Sequence, residues 1–284
     1  KGEIALIAAT FLRLKAADFV PTRDLIIAFT GDEETQMNTA RELATKYRAL
    51  TDAEFALNGD GGGGTLDEVT GKPRFYAVQG AEKSYASFAL TARNPGGHSS
   101  QPRPDNAIYD LADALKALQG YSFPVMWNDW TIGSFKASAP VTPGELGQAM
   151  AKFAAHPGDA DAAAVLAKTP AMVGRTRTTC VATMLTGGHA DNALPQSATA
   201  TVNCRIFPGT SVAEVRDSLQ QVVGDRIEVK VLGEPHSSPP SPLRGDVLEA
   251  VTKAVRASHP GVPSVPDMAP YATGGSIFRG AGIP

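Results

Sequence analysis

"KSYASFALTAR", residues 83–93, alternates polar and apolar side chains. That period of two marks a strand with one buried and one open face. Downstream the same grammar recurs. Asn106 to Leu118 reads as a helix, and "RTRTTCVATML" (175–185) and "SATATVNCRIF" (197–207) alternate as strands joined by "TGGHADNALPQ". Val212 to Val223 reads as a second helix and "RIEVKVL" (226–232) as a last strand. The order is β-α-β-β-α-β, a split ferredoxin-like α+β arrangement. Its first crossover carries a long insertion, 120–174, with both tryptophans and an alanine-rich helix expected near Ala149 to Ala167.

On either side of this unit the pattern changes. Glu3 to Ala17 places Ile4, Ile7, Ala8, Phe11 and Leu12 on a helical stripe. "DLIIAFT" (24–30) and "AEFALN" (53–58) are continuous apolar runs, expected as strands buried on both faces. Between them Thr39 and Glu42 have capping-box spacing for a helix reaching about Leu50. Helix–strand–helix–strand order argues for an α/β domain with an open parallel sheet. "PHSSPPSP" (235–242) reads as a linker, followed by a helix from Leu243 to Ser258 and a return to strand and glycine loop in "YATGGSIFRGAGIP". The expected organisation is an α/β domain (1–80 and 237–284) interrupted by an inserted α+β domain (81–236).

Bulk composition narrows the function classes. The 284 residues are 43% hydrophobic and 19% charged, ordinary for a globular protein, and are long enough for two domains. A net charge of −3 gives no electrostatic reason to expect nucleic acid or an anionic membrane as partner. No apolar stretch reaches the roughly 20 residues of a membrane helix. The first residues lack the layout of a signal peptide, and both ends read as interruptions of a fold. Two cysteines, Cys180 and Cys204, offer no close-spaced zinc motif and are expected as reduced cross-strand neighbours. Any metal site must therefore use carboxylates and histidines.

Four stretches carry candidate chemistry. "GDEE" places Asp32, Glu33 and Glu34 at the end of an apolar run, where one carboxylate could hold a cation and its neighbour take a proton from water. A solvated acidic turn is the plain alternative. Asp60 precedes Gly61 to Gly64 and offers oxygen ligands, while the absence of a following Lys-Ser/Thr excludes a P-loop. His98, in "NPGGHSSQP", sits in a Gly-Gly turn between strand and helix, placed to donate to a developing oxyanion. Ser99 or Ser100 as a nucleophile is the competing reading, although the chain has no G-x-S-x-G elbow. Asn192 could bind a carbonyl oxygen and Arg205 a carboxylate, or Arg205 could be a solvated strand residue; His189 reads as a turn residue.

Taken in order, "GDEE", "NGDGGGG", "GGHSSQP…NAI", "GGHADNALP…R…PG" and "GG…GIP" resemble, across essentially the whole chain, one family of dinuclear zinc metallopeptidases. It includes aminoacylase, glutamate carboxypeptidase, acetylornithine deacetylase and succinyl-diaminopimelate desuccinylase. The resemblance implies a zinc-exopeptidase-like catalytic domain, an inserted domain that makes a homodimer, and two zinc ions per subunit of the complete protein. By the same resemblance Glu33 would be the general base, and Glu34 and Asp60 would each ligate one zinc. His98 would reach into the partner subunit's site. Asn192 and Arg205 would bind the substrate's carbonyl and carboxylate, and Gly274 and Gly275 would line the carboxylate pocket. Further family ligands precede Lys1 or follow Pro284, so the resemblance implies a chain cut at both ends. The implied activity is hydrolysis of an amide or peptide bond beside a free carboxylate, in a small peptide or N-acyl amino acid. A non-catalytic dimerising scaffold with a degenerate metal site is the alternative.

Overall fold

The computed structural model describes residues 2–235 and 237–284. Lys1, and His236 at the expected end of the inserted domain, lie outside the described residues. The chain opens with helices α1 (Gly2–Ala16), α2 (Asn38–Ala44) and α3 (Arg48–Thr51), then strands β1 (Gly63–Leu66) and β2 (Pro73–Glu82). Strand β3 (Ser84–Arg93), the short β4 (Gly97–His98) and helix α4 (Ala107–Gly120) follow. The insertion supplies α5 (Asp129–Ser138), α6 (Gly144–Ala155), α7 (Ala160–Ala167) and α8 (Pro170–Val173). Strands β5 (Thr179–Gly187), β6 (Ala193–Leu194) and β7 (Ser197–Ile206), helix α9 (Val212–Val223) and strand β8 (Ile227–Leu232) complete the inserted unit. The chain ends with α10 (Gly245–Ser258), β9 (Ser264–Ala269) and α11 (Gly275–Gly280).

The ferredoxin-like unit forms as its alternation requires. Its four-stranded sheet has the order β5-β7-β3-β8 with every neighbouring pair antiparallel. Phe88, Leu90, Val202 and Ile206 point to one face and are fully buried. Helices α4 and α9 cover that face. Asn106 caps α4 by accepting from the Ile108 N–H, and Leu111, Ala114 and Leu118 form its buried stripe. Ser211 and Glu214 form a reciprocal capping box on α9, which buries Val215 and Leu219.

Two expectations fail here and in the insertion. Cys180 and Cys204 are bonded as a disulfide, because they stand directly opposite each other in the β5–β7 register. The alanine-rich helix is two helices, α6 and α7. Pro157 and Gly158 break it, with Gly158 at a φ of +86°, and Asp159 caps α7 by accepting from the Ala162 N–H. The insertion has its own core of Phe135, Met150, Phe153 and Leu166.

The flanking α/β part departs further from expectation. Its sheet has the order β1-β2-β9, with β2 parallel to β9 and β1 antiparallel to β2. The runs 24–30 and 53–58 are irregular, and Leu25, Ile26, Ile27 and Phe29 are exposed. Helix α1 buries none of its residues. A strand is a property of a pair, and among the described residues no ladder partner lies beside either run. The Thr39–Glu42 capping box does not form either; Met37 is the N-cap of α2 and makes no side-chain cap bond. The final segment contains helix α11 where strand and loop were expected.

Candidate active site

The "GDEE" turn is built by its first acid. Asp32 accepts from the Asn38 N–H at 2.7 Å, from the Thr39 N–H at 3.0 Å and from the Thr39 hydroxyl, which hold its carboxyl below the usual range. Glu33 is thereby left half-buried, while Glu34 is exposed. Desolvation raises the proton affinity of Glu33, and the nearby charges of Asp60, Glu34 and Glu82 raise it further. The two acidic segments, "GDEE" and the Asp60 loop, are thus close enough to interact electrostatically, though neither follows a strand.

The glycine loop closes over the same place. A Cβ placed on Gly274 would lie 3.9 Å from Glu33 Cγ. On Gly275 it would meet the Thr273 hydroxyl and Arg279 Nη1, each at 3.2 Å. Glu33, Asp60, Gly274 and Gly275 therefore form one neighbourhood.

His98 and Asn192 form another. His98 pairs with Ala193 in the β4–β6 ribbon, and the Ser99 N–H donates to the Asn192 carbonyl at 3.0 Å. Both side chains are exposed. The Ser100 N–H donates to His98 Nδ1 at 3.2 Å, so a neutral ring carries its proton on Nε2, available to an incoming oxyanion. Ser100 Oγ also lies 2.8 Å from Nδ1. That contact does not make a catalytic pair. The backbone N–H competes for the same nitrogen, and no acidic side chain among the described residues orients the ring from Nε2.

Arg205 lies on the sheet face opposite the helices, stacked over Tyr85 with 4.9 Å from guanidinium carbon to ring centroid. Among the described residues no carboxylate pairs with it.

Sequence reading missed several buried polar residues. Glu82 is fully buried against Arg279, and it accepts from Gln79 Nε2 at 2.8 Å and from the Thr273 hydroxyl at 2.9 Å. Lys83 is fully buried too, donating to the Thr179 hydroxyl at 3.0 Å. Desolvation, helped by the charge of Arg205, pushes its pKa down to about 7. A Glu-Lys pair inside an apolar segment was the available signal; the partners of both residues are far away in sequence.

Among the described residues no group of three or more His, Cys, Asp or Glu side chains is placed to hold a metal ion. With Glu34 and Asp60 as its expected ligands, this chain does not by itself fit a four-coordinate zinc site, still less a dinuclear one.

The model of the peptidase dimerisation domain of the M20 peptidases matches residues 80–230, more than half of the chain and the ferredoxin-like unit with its insertion as far as the middle of β8. The chain belongs to the M20 peptidase family. N-fatty-acyl-amino acid synthase/hydrolase PM20D1 of Xenopus tropicalis is 28% identical over 253 residues, covering 86% of this chain and 49% of that protein. The Dictyostelium discoideum protein named "Probable carboxypeptidase S-like 2" is 28% identical over 233 residues, 79% of this chain and 44% of its own length. The chain thus spans about half the length of these relatives. Among solved structures, the M20 family metallo-carboxypeptidase Sso-CP2 of Sulfolobus solfataricus superposes with a TM-score of 0.53 at 16% identity, covering 86% of this chain and 65% of that one. Aminopeptidase PepT of Bacillus cereus gives 0.52 at 16%, covering 89% of this chain and 52% of that one. These superpositions carry the fold: a mixed α/β part with an inserted dimerisation domain, as in M20 metallopeptidases.

Proposed function

We propose that this chain is part of a zinc-dependent hydrolase that cleaves an amide or peptide bond beside a free carboxylate, as an exopeptidase, dipeptidase or N-acyl amino acid deacylase. The observation that carries the reading is Glu33. It is a half-buried carboxylate with raised proton affinity, next to Asp60 and under the Gly274 loop, in a chain of the M20 family. A carboxylate so placed can take a proton from water and return it to the leaving amine. Arg205, which pairs with no carboxylate among the described residues, would receive that of the substrate, and Asn192 its carbonyl oxygen. Gly274 and Gly275 would line the carboxylate pocket.

The domain division is 1–80 and 237–284 for the catalytic part and 81–236 for the dimerisation domain. His98 and Asn192 share a ribbon distinct from the Glu33 neighbourhood, which supports their use across a homodimer, His98 donating through Nε2 to the partner's reaction centre. Strand β5, an edge of the sheet with Val181, Met184 and Leu185 exposed, is the surface available for that dimer. Two zinc ions per subunit would belong to the complete protein, Glu34 and Asp60 supplying part of their ligands.

The test uses the full-length protein with dipeptides and N-acyl amino acids. Glu33→Gln should lower kcat by about 10²–10⁴-fold, the span of general-base catalysis. Chelation should abolish turnover, and elemental analysis should find zinc. Undiminished activity in the variant, or after chelation, overturns the proposal. A metal-free, inactive wild-type protein that still dimerises would favour the scaffold alternative.

A further inference from the structure

Thr273 Oγ1 sits at a crossing of the polar contacts behind Glu33 and Asp60. A hydroxyl can donate once and accept twice. Here all three valences are used: Oγ1 donates to Glu82 Oε2 at 2.9 Å, and accepts from the Gly275 N–H at 3.1 Å and from Asn58 Nδ2 at 3.3 Å. Thr273 is itself buried.

The acceptor is a stiff one. Glu82 has no exposed side-chain surface; Gln79 holds one of its oxygens and Arg279 the other. Separating a buried pair of this kind leaves an uncompensated charge, so the carboxylate stays where it is. From that anchor two arms run to the candidate site. One passes through Gly275 to Gly274, which lies against Glu33. The other passes through Asn58, whose Oδ1 accepts from the Asp60 N–H at 3.1 Å. A third arm leads away: Arg279 Nε donates to Ser238 Oγ at 3.2 Å, and the Ser238 N–H donates to Ser84 Oγ at 3.1 Å. The Ser241 N–H meets the Gly80 carbonyl at 2.8 Å. Ser84 and Gly80 flank one chain crossing between the two sheets, and Ser238 and Ser241 lie on the other.

We propose that Thr273 is a positioning residue whose hydroxyl, anchored on the Glu82–Arg279 pair, fixes the Gly274–Gly275 loop and the Asn58–Asp60 segment relative to each other and ties both to the interdomain crossings. The proposal rests on the reading of Glu33 and Asp60 as part of the reaction centre. Thr273→Val keeps the volume and removes the hydroxyl, while Thr273→Ser keeps the hydroxyl.

In the full-length protein, hydrogen exchange of segments 58–64 and 273–280 should accelerate at least about tenfold in Thr273→Val, as loss of about 1.4 kcal/mol of hydrogen bonding requires. Exchange in β3 and β7 should not change. In turnover, kcat should fall by about the same factor with little change in KM, and Thr273→Ser should restore both readouts. Wild-type exchange in Thr273→Val, or a Ser variant as damaged as the Val variant, overturns the proposal. If Thr273→Val does not fold, Asn58→Ala cuts one arm at an exposed position and should accelerate exchange at 58–64 but not at β3 and β7; unaltered exchange at 58–64 is equally fatal. Exchange is read without substrate. A wild-type protein that hydrolyses nothing therefore sinks the proposed function, while hydrogen exchange still decides the role of Thr273.

Discussion

"SATATVNCRIF" and "DLIIAFT" are both rich in strand-forming residues, and they end in opposite states. The first becomes β7, paired on both sides, with Val202 and Ile206 fully buried. The second stays irregular, with Leu25, Ile26, Ile27 and Phe29 between 37% and 49% exposed. The difference lies in what surrounds them. The ferredoxin-like unit carries every partner its strands need within one stretch of chain, and two capped helices close its core. The α/β part holds a three-stranded sheet, and no strand among the described residues flanks the 24–30 run. Intrinsic strand preference is weak beside the effect of cross-strand packing.

That comparison breaks first if the two regions respond alike to truncation. Phe88→Ala, in the sheet core, should destabilise the protein by about 3–5 kcal/mol, while Ile26→Ala should stay within about 0.5 kcal/mol. Denaturant titration of each variant measures the contrast; equal losses would mean that the 24–30 run is packed after all.

The next largest effect concerns the disulfide, which joins residues 24 apart across β5 and β7. Reduction should cost about 3.5 kcal/mol in the chain-entropy account and lower the melting temperature of the ferredoxin-like unit. Thiol titration before and after unfolding checks the premise: two free thiols in the native, unreduced protein would restore the expectation of reduced cysteines.

A graded effect, spread over several pH units, should come from Lys83, which joins the two regions. Its folded pKa of about 7 lies below the ordinary value of 10.5, so between those values the unfolded chain holds a proton that the folded chain has released. Stability should therefore rise with pH across that window, by up to about 1.4 kcal/mol per pH unit. The burden of the buried charge is fully present below pH 7 and gone above the ordinary lysine range. Lys83→Met should flatten this contribution, as denaturation midpoints followed against pH would record. An unchanged slope would place the titrating group elsewhere.

The ferredoxin-like strands and helices were legible because alternation and helical stripes report burial directly: the odd and even positions of 84–93 already separate the open face from the core. The carboxylates were legible as types in an order. Their grouping was not, because Glu33, Asp60 and Gly274 are joined only by the path of the chain. Buried polar residues were the least visible. Nothing near Glu82 or Thr273 in sequence announces Arg279 or Asn58 as a partner.

By itself, then, the sequence determined the ferredoxin-like topology, the interruption of one α/β part by another unit, and the set of acids, histidine and glycines that carries the family resemblance. Those depend on local periodicity and on residue order, both of which a single chain records. The tertiary structure alone decided which apolar runs become strands, that Cys180 and Cys204 are joined, and that a buried Glu82–Arg279 pair stands behind the candidate site. Each of these depends on what lies opposite in space, and a residue's partner across a sheet or a core is set by the path of the whole chain.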